Sequence, residues 1–305
     1  MNKTVKNVLI IGFGSIGRQH ASILQSISSE LTITVLSAQE HVPFQKISKL
    51  TEIEKINPDY IVIASNTSLH FDHLCYIENN FSGKLILIEK PLFDTVRDQE
   101  IKNNTVYVGY HLRFDPALNL IREMLAGRKL WTINVICGSY LPEWRSNRDY
   151  RKTSSARLDS GGGVLLDMSH ELDYLQWLCG KLEPTYVSNG KISDLEIETD
   201  DFLLFCGHSL LCSHIFLNIN YYSRHPIRQI VIDGEGISIQ ADLLDHVVMA
   251  YQDGKSYNYT WPNVTKSTLL EAEHRALLSG DTKCASTYLE GVATMELIES
   301  IWRVN

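Results

Sequence analysis

The stretch Asn7-Val-Leu-Ile-Ile-Gly-Phe-Gly-Ser-Ile-Gly-Arg18 decides the fold of the N-terminal part of the chain. A short apolar run predicts a buried strand, and a GxGxxG pattern and a helical pattern through about Ser28 follow it. In this order Gly12 permits a tight turn, Gly14 lets the backbone approach a pyrophosphate, and Gly17 lets the helix pack closely on the strand. The helix N-terminus offers amide donors to phosphate groups. The stretch therefore predicts a dinucleotide-binding turn, and the cofactor-binding residues expected in it are Gly12, Phe13, Gly14, Ser15, Ile16 and Gly17.

Further strand-like runs follow in the first third of the chain, at 31–37, 59–65, 84–89 and 105–109. Apolar runs of this kind, separated by helical or polar stretches, are typical of a parallel sheet that is covered on both faces. Ligands of such sheets bind beyond the carboxyl ends of the strands. The polar loops that begin at Ser65, Glu89 and Gly109 are therefore predicted to meet at one edge. The cofactor-binding residues expected in these loops are Ser65, Asn66, Glu89 and Lys90.

The end of the second strand bears on the choice of cofactor. A site selective for NAD usually places an acid about twenty residues after the glycine turn, where it binds the ribose hydroxyls. Ser37 occupies this position, so a 2′-phosphate is not repelled there. No arginine follows at Ala38 or Gln39 to attract one. The sequence is thus compatible with NAD or NADP and favours NADP slightly, with Ser37 as a further cofactor-binding residue.

Lys90 directly follows a buried strand and precedes Pro91, which sets the backbone that comes next. This arrangement predicts that the ammonium group is held at the edge of the sheet, where a nicotinamide ring would lie. Taken alone, a lysine in a turn is also compatible with an ordinary surface position.

A glycine run, Ser160-Gly-Gly-Gly163, introduces a second stretch whose side chains are candidates for catalysis. The apolar residues after it recur at steps near three and four and predict one amphipathic helix from Leu165 to Leu178. Asp167 and His170 would emerge as neighbours at one end of this helix. A carboxylate beside an imidazole can serve as a tuned proton acceptor, although a similar pair also occurs where the acid only caps or solvates the first turn.

Together these motifs resemble the Gfo/Idh/MocA family of oxidoreductases, the glucose–fructose oxidoreductase and inositol dehydrogenase family. The resemblance spans roughly residues 5 to 180. It implies an α/β Rossmann domain with a parallel sheet, followed by an α+β domain with a large open, mainly antiparallel sheet. It also implies hydride transfer between NAD(P) and a hydroxyl-bearing carbon of a sugar, sugar acid or nucleotide-sugar. The motifs that carry it are the GxGxxG turn, Ser65-Asn-Thr-Ser-Leu-His70, Glu89-Lys-Pro91, Gly109-Tyr-His-Leu-Arg-Phe-Asp-Pro116 and the glycine run with Asp167, His170 and Asp173.

The resemblance also implies roles for single residues. Lys90 would contact the substrate hydroxyl and the nicotinamide. His170 would be the general acid/base, with Asp167 as its companion. His70 and Asn66 would line the cofactor pocket.

The chain departs from the family pattern at two positions. Many family members space the aspartate and the histidine four positions apart, whereas Asp167 and His170 are three apart. Asp167 and Asp173 therefore both remain possible partners of His170. His111 stands where the family often has asparagine, and a packing role is expected for it.

A basic segment precedes the glycine run. From Pro142 to Arg157 there are five basic residues and two acidic ones, in a protein whose formal net charge is −8. Arginine binds carboxylate or phosphate in a bidentate fork, and aromatic rings such as Trp144 offer flat faces to a sugar or a base. The segment predicts an anionic sugar or nucleotide-sugar as substrate, unless its arginines pair with nearby acids or a partner subunit. Its W-R-x-x-x-D-Y-R pattern is similar to family members linked to bacterial surface-sugar pathways. The residues assigned to substrate binding are Arg113, Trp144, Arg151 and Asp173.

The chain from 183 to 259 alternates strand-like runs with turn signals such as Gly234-Glu-Gly236, which is typical of an antiparallel sheet. A broad sheet face that no helix covers usually lies against a partner, so a homodimer or homotetramer through the open sheet is expected. Two helices are predicted between 269 and 302. The expected domains are a dinucleotide-binding domain over residues 1–115 and a substrate-binding and oligomerisation domain over residues 116–305.

Composition argues against several classes of function. The 28 basic and 36 acidic residues give no excess of positive charge for a broad nucleic-acid surface. No apolar run approaches the length of a membrane span and the N-terminus shows no signal peptide pattern, so a cytoplasmic protein without a membrane partner is expected. The six cysteines form no CxxC pair, and neither a disulfide framework nor a metal site is indicated.

The activity predicted from these observations is that of an NAD(P)-dependent dehydrogenase or reductase acting on CH–OH groups of a small-molecule substrate. Two alternatives keep the cofactor. One is a glycoside-cleaving enzyme that uses transient oxidation by tightly held NAD, as in a few relatives. The other is a non-catalytic cofactor-sensing protein, against which the set of Lys90, Asp167 and His170 argues.

Overall fold

A computed structural model of the protein describes residues 5–145 and 147–304. The chain forms two compact units. The first consists of the chain up to Phe114 together with Thr265–Val292, and the second consists of Asp115–Val264 together with the chain from Ala293 onward. In the described part of the chain, none of the helices has both the length and the hydropathy that a membrane crossing requires.

The elements of the N-terminal part are β1 Asn7–Ile11, α1 Ser15–Ile27, β2 Thr32–Leu36, β3 Gln45–Ile47, α2 Ile53–Ile56, β4 Tyr60–Ile63, α3 His70–Asn80, β5 Leu85–Glu89 and β6 Thr105–Gly109. They are followed by α4 Pro116–Leu125, β7 Leu130–Gly138, α5 Val164–Asp167, α6 Ser169–Cys179, β8 Glu183–Gly190, β9 Phe202–His208, β10 Cys212–Asn220, β11 Ile227–Gly234, β12 Ile237–Asp242, β13 Val247–Gln252 and β14 Lys255–Thr260. The C-terminal elements are α7 Lys266–Ser279, β15 Ser286–Thr287 and α8 Tyr288–Trp302.

The first unit is built on a seven-stranded sheet in the order β15-β6-β5-β4-β1-β2-β3. Its strands pair in parallel, apart from β15 with β6. Leu9 and Ile10 are neighbours in β1 that point to opposite faces, and both are fully buried. Burial on both faces explains why these strands are continuous apolar runs. Because the main strands are parallel, the loops after β1, β4 and β5 reach the same edge.

Helix α7 returns to the first unit and packs against α1. The two helices are joined inside the unit by a hydrogen bond between His20 of α1 and His274 of α7, 2.8 Å long. A segment far along the chain thus covers the helix that follows the glycine turn.

The second unit contains an eight-stranded sheet in the order β14-β13-β12-β11-β7-β10-β9-β8. Its pairs are antiparallel, apart from β7 with β10. Burial alternates along the strands: Leu203 and Phe205 of β9 are fully buried, whereas Leu204 between them is 39% exposed. Helix α5 packs against β9 and β10. The predicted fold class, a parallel Rossmann sheet followed by a large, mainly antiparallel sheet, is confirmed.

Candidate active site

The glycine turn after β1 has the geometry that a dinucleotide needs. Gly12 has φ +97°, and a Cβ built on it would lie 2.6 Å from the carbonyl oxygen of Ala64. A Cβ on Gly17 would lie 2.2 Å from the carbonyl oxygen of Gly12, so α1 packs directly on the turn. A Cβ on Gly14 would meet nothing within 4 Å. The space beside Gly14, at the N-terminus of α1, therefore fits a pyrophosphate.

The other residues of the turn have different surroundings. Phe13 is buried and its ring contacts Phe44 edge-on at 5.9 Å between centroids. Ser15 is exposed and Ile16 is half-buried. Helix α1 has no side-chain N-cap, so the amide groups of its first turn are available to a phosphate.

Two cations lie at the end of β2, where the adenosine ribose of a Rossmann cofactor is expected. The Ser37 hydroxyl accepts a hydrogen bond from the Gln39 backbone amide at 3.1 Å. An Arg18 guanidinium nitrogen donates to Gln39 Oε1 at 2.6 Å, and Lys46 Nζ donates to the Gln39 carbonyl oxygen at 2.8 Å. The guanidinium of Arg18 also lies over the ring of Phe13, at 4.9 Å from its centroid. The arginine that the sequence lacks after β2 thus comes from α1.

His70 ties two loops of the sheet edge together. The side chain is 1% exposed, and its Nε2 lies 3.1 Å from the carbonyl oxygen of Ser65, in the loop after β4. Its Nδ1 lies 3.1 Å from the carbonyl oxygen of Pro91 and 3.2 Å from that of Leu92, in the loop after β5. Burial lowers the pKa of His70, and these carbonyl groups oppose the shift. Asn66, which lies between Ser65 and His70 in the sequence, is exposed.

Glu89 ends β5, and Lys90 directly follows the strand. Glu89 is 7% exposed and its Oε1 lies 2.9 Å from His20 Nε2. Burial alone would raise the pKa of Glu89, but the hydrogen bond from His20 and the charge of Lys266 help to lower it to about 2. A buried, ionised carboxylate therefore directly precedes Lys90, which is half-buried.

In the second unit, the glycine run leads into two helical segments. Gly163 has φ +117°, and a Cβ on it would lie 2.2 Å from Asp200 Oδ1. The other oxygen of that carboxylate accepts from the Leu165 amide at 3.1 Å. The prediction of one continuous helix from Leu165 to Leu178 is wrong, because Met168, with φ −101° and ψ 29°, separates α5 from α6. Asp167 ends α5 and His170 lies in the first turn of α6, so the argument from one helical face does not hold for this pair.

Asp167 has a buried tyrosine as its partner. The hydroxyl of Tyr221 donates to Asp167 Oδ2 at 2.5 Å, and Tyr221 itself is fully buried. The Tyr221 ring also meets Trp144 edge-on, at 5.3 Å between centroids. Tyr221 comes directly after β10, and so the sheet fixes the acid that ends α5.

The first two turns of α6 are buried throughout. His170 is 5% exposed and Asp173 is 1% exposed. Glu171 is fully buried and its Oε1 accepts from Nε of Arg228, in β11, at 2.8 Å. This ion pair anchors α6 on the sheet.

The basic segment contains arginines of two kinds. Arg151 contacts two acids, Asp149 at 2.9 Å and Glu196 at 2.8 Å, while Trp144 donates from Nε1 to the Ser139 hydroxyl at 2.8 Å. Arg145 and Arg148 are exposed, and neither has an acidic partner among the described residues.

In the first unit, Arg113 is 1% exposed and forms an ion pair with Glu290 at 2.7 Å. The guanidinium of Arg113, which the sequence assigned to substrate binding, is thus buried and paired with Glu290.

The comparison with protein families decides the class of the first unit. Residues 6–105 match the Gfo/Idh/MocA family, an oxidoreductase family with an NAD-binding Rossmann fold. Over these residues the chain is similar to the nucleotide-binding domain of those oxidoreductases. The resemblance predicted from the motifs and the predicted oxidoreductase class are confirmed. A comparison with curated protein sequences finds no match.

Solved structures share the fold over almost the whole chain. The WlbA dehydrogenase from Bordetella pertussis, in complex with NADH and UDP-GlcNAcA, is similar with a TM-score of 0.81 at 16% identity, over 99% of this chain and 96% of that chain. UDP-N-acetylglucosamine 3-dehydrogenase GnnA from Acidithiobacillus ferrooxidans is similar with a TM-score of 0.76 at 18% identity, over 97% and 96%. Levoglucosan dehydrogenase in complex with NADH gives a TM-score of 0.80 at 16% identity, over 98% and 96%.

Several residues of the first unit were not found by sequence reasoning. Arg18 and Lys46 reach the end of β2 from α1 and β3, and His274 reaches His20 from a helix 254 positions further along the chain. A signal existed only for Arg18, which directly follows the GxGxxG pattern. The contacts of Lys46 and His274 depend on strand order and on the return of α7, which local patterns do not encode.

Proposed function

We propose that the protein is an NAD(P)-dependent dehydrogenase that transfers a hydride between the nicotinamide and a hydroxyl-bearing carbon of a sugar, a sugar acid or a nucleotide-sugar. The observation that carries the proposal is the edge of the first sheet. It combines the open space beside Gly14 with the Glu89–Lys90 turn, within the residues that match an NAD-binding oxidoreductase family.

The proposal assigns proton transfer to His170 and stabilisation of charge to Lys90. Bound NAD(P)⁺ supplies the acceptor for the hydride that leaves the substrate carbon. His170 takes the proton of the hydroxyl on the same carbon, which becomes a carbonyl, so that no further oxidant is needed. The Lys90 ammonium stabilises negative charge that develops on the oxygen. Asp167 and Asp173 are the candidates that orient His170.

Isotope transfer tests the reaction class. The protein is incubated with NAD⁺ or NADP⁺ and with sugars deuterated at single carbons. We expect reduced nicotinamide that carries the deuterium at C4, together with an equal amount of keto-sugar. Cleavage of a glycoside without net reduction of the cofactor would contradict the proposal.

We infer that the substrate is anionic, because Arg145 and Arg148 present guanidinium groups that no acid of the described chain neutralises. Arg151, by contrast, is already paired with two carboxylates. Relatives of the same fold include a complex with UDP-GlcNAcA and an enzyme named for UDP-N-acetylglucosamine. A sugar acid or a nucleotide-sugar is therefore the favoured substrate class.

The Arg145→Gln/Arg148→Gln double variant tests this class. A hydrogen bond to a charged group contributes about 1.5–3 kcal/mol, so KM for an anionic sugar should rise by about tenfold or more. The matched control is Arg157→Gln, which removes a guanidinium already paired with Asp159 at 2.8 Å. A control variant with the same KM increase, or a double variant with unchanged KM, would contradict the assignment.

We propose NADP as the preferred cofactor, because Arg18 and Lys46 converge on Gln39 at the end of β2 and Ser37 leaves no acid at the usual ribose position. Both side chains are exposed, and each can exchange its contact with Gln39 for a 2′-phosphate.

Titration with NADPH and NADH tests the preference. Arg18→Met and Lys46→Met should each raise the Kd for NADPH by about tenfold or more and leave that for NADH almost unchanged. Lys49→Met, a change of an exposed lysine of the same unit, is the control. Equal losses for both cofactors would show that the two cations do not recognise a 2′-phosphate.

We also propose a homodimer or homotetramer formed through the exposed face of the second sheet. Cross-strand register places Tyr186, Phe216, Val231 and Met249 in one row of that face. Cys206, Asn134 and Gln240 alternate with them in the row. Phe216 is 42% exposed and Met249 is 49% exposed, and exposed large apolar side chains that lie in one row favour contact with a partner. The cysteines are free thiols, which suits a reducing compartment, and we propose a cytoplasmic location.

A further inference from the structure

The first unit contains a buried chain of polar groups that the reaction described above does not use. Glu89 Oε1 lies 2.9 Å from His20 Nε2, His20 Nδ1 lies 2.8 Å from His274 Nε2, and His274 Nδ1 lies 2.8 Å from the Tyr60 hydroxyl. Glu89 is 7% exposed and the other three side chains are fully buried. The chain connects four elements: β5, α1, α7 and β4.

The donors and acceptors available on the four side chains decide which group donates in each hydrogen bond. The ionised Glu89 carboxylate only accepts, so His20 donates to it from Nε2. In the described part of the molecule, His274 is the one hydrogen-bond partner of the Tyr60 hydroxyl, and a buried donor left unsatisfied costs about 1–3 kcal/mol. Tyr60 therefore donates to His274 Nδ1, and His274 donates from Nε2 to His20 Nδ1. Both rings are then neutral Nε2–H tautomers, and each of their nitrogens and the Tyr60 hydroxyl has a hydrogen-bond partner.

The pKa shifts of His274 and Tyr60 agree with this direction of the hydrogen bonds. Burial holds the pKa of His274 well below its ordinary value, which keeps that ring neutral. Burial, and then the charges of Glu273 and Glu89, raise the pKa of Tyr60 well above its ordinary value. The Tyr60 hydroxyl thus stays protonated at neutral pH and can donate a hydrogen bond.

We propose that His20 and His274 are positioning residues for Lys90. The proposal rests on the proposed function, in which Lys90 stabilises the oxygen of the substrate. Glu89 is covalently joined to Lys90, and its carboxylate is confined between His20 and Gly109, where an added Cβ would lie 3.0 Å from Oε1. On the other side of Lys90, His70 contacts the carbonyl groups of Pro91 and Leu92. The backbone of Lys90 is therefore held in place on both sides. On one side it is held by the hydrogen-bonded side chains from Glu89 to Tyr60, and on the other side by His70.

Steady-state kinetics of three variants test the positioning role. A displacement of about 1 Å can cost about 10²-fold in rate, so His20→Leu should lower kcat by about this factor with KM little changed. His20→Gln should recover part of the loss, because its amide can donate to Glu89. Glu78→Gln is the matched control: Glu78 is a buried carboxylate of the same unit that accepts from the Lys102 and Asn103 amides at 2.7 and 2.6 Å. It should lower the melting temperature and leave kcat unchanged. Equal kcat in His20→Leu and Glu78→Gln would overturn the role.

Side-chain ¹⁵N NMR of histidine tests the direction without any turnover. We expect both rings as neutral Nε2–H tautomers, and Tyr60→Phe should shift the Nδ1 signal of His274. An imidazolium or an Nδ1–H tautomer at either ring would overturn this assignment of donors and acceptors.

A protein with these tautomers that turns over no sugar would contradict the proposed function alone. The ¹³C signal of reductively methylated Lys90 then decides the positioning role. It should move in His20→Leu and stay in place in Glu78→Gln, and a signal that stays in place in both variants would overturn the role.

Discussion

Gly14 and Gly17 belong to one turn, yet the space around them differs in a way that separates binding from folding. A Cβ on Gly17 would overlap the carbonyl oxygen of Gly12, whereas a Cβ on Gly14 would point into open space. Gly14 has φ −72°, which any residue adopts without strain. Only the approach of a ligand therefore requires glycine at Gly14.

Alanine substitutions at these two glycines should give opposite results. Gly17→Ala should cost about 1–3 kcal/mol of unfolding free energy, the range found for overpacked sites. Gly14→Ala should leave the unfolding free energy unchanged and raise the Kd for the cofactor by about tenfold, which corresponds to ~1.4 kcal/mol. Urea unfolding and cofactor titration measure both quantities. Unchanged affinity in Gly14→Ala would contradict the placement of the pyrophosphate.

Asp200 makes stability depend on pH. Burial raises its pKa to about 6, with further contributions from the charges of Asp167 and Asp201 and an opposing one from the Leu165 amide. Its unfolded pKa is about 3.9, so the folded state favours the protonated acid. The resulting stabilisation is present below about pH 4 and is lost as the pH rises to about 6.

Asp200→Asn should therefore be more stable than the wild type by up to about 3 kcal/mol at pH 7, with the difference vanishing near pH 4. Urea unfolding as a function of pH measures this difference, and Asp194→Asn, an exposed change in the same unit, is the control. A difference that does not vary with pH would contradict the assigned shift.

At the scale of elements, periodicity predicted most strands and helices of this chain but not the break at Met168. Leu165, Leu166 and Leu172 are buried on both sides of the break, so the apolar steps near three and four persist although the backbone leaves the helical region. Contacts between distant elements were also out of reach, because local patterns carry no information on them. Tyr221 is 54 positions from Asp167, so no local pattern connects the two residues.

The ion pair between Arg228 of β11 and Glu171 of α6 should have a large effect on stability. Arg228→Met would leave the fully buried Glu171 carboxylate without its cation, and a broken buried pair costs about 3–5 kcal/mol. The double variant Arg228→Met/Glu171→Leu should regain most of this loss. Arg157→Met, which breaks an exposed pair with Asp159, should cost less than about 1 kcal/mol. Denaturant unfolding of the variants measures all three values, and equal costs for the two single variants would contradict the anchoring of α6 by this pair.

At the scale of the whole molecule, the order of elements predicted the two sheets, because continuous apolar runs and alternating runs bury different numbers of faces. The return of α7 to the first unit could not be predicted, since an amphipathic pattern does not reveal which surface its apolar face covers. The exposed face of the second sheet is a property of the assembled strands, and the row that contains Phe216 and Met249 appears only when the register is known.

Charges placed in that row should separate the protomers. Phe216→Glu/Met249→Lys should convert a dimer or tetramer to a monomer without loss of the fold, because each added charge would have to be desolvated in the interface. Light scattering coupled to size-exclusion chromatography measures the mass, and circular dichroism measures the fold. Leu244→Lys, in the loop after β12 and 46% exposed, is the control. A monomeric wild type, or a variant with unchanged mass, would contradict the proposed interface.

The proposal that matters most is that the protein oxidises a sugar hydroxyl with His170 as the proton acceptor. The most direct test is the rate of nicotinamide reduction by His170→Ala with a saturating anionic or nucleotide-linked sugar, measured together with the Kd for the cofactor. We expect a loss of about 10²- to 10⁴-fold in kcat with unchanged cofactor affinity. Full turnover by His170→Ala would contradict it.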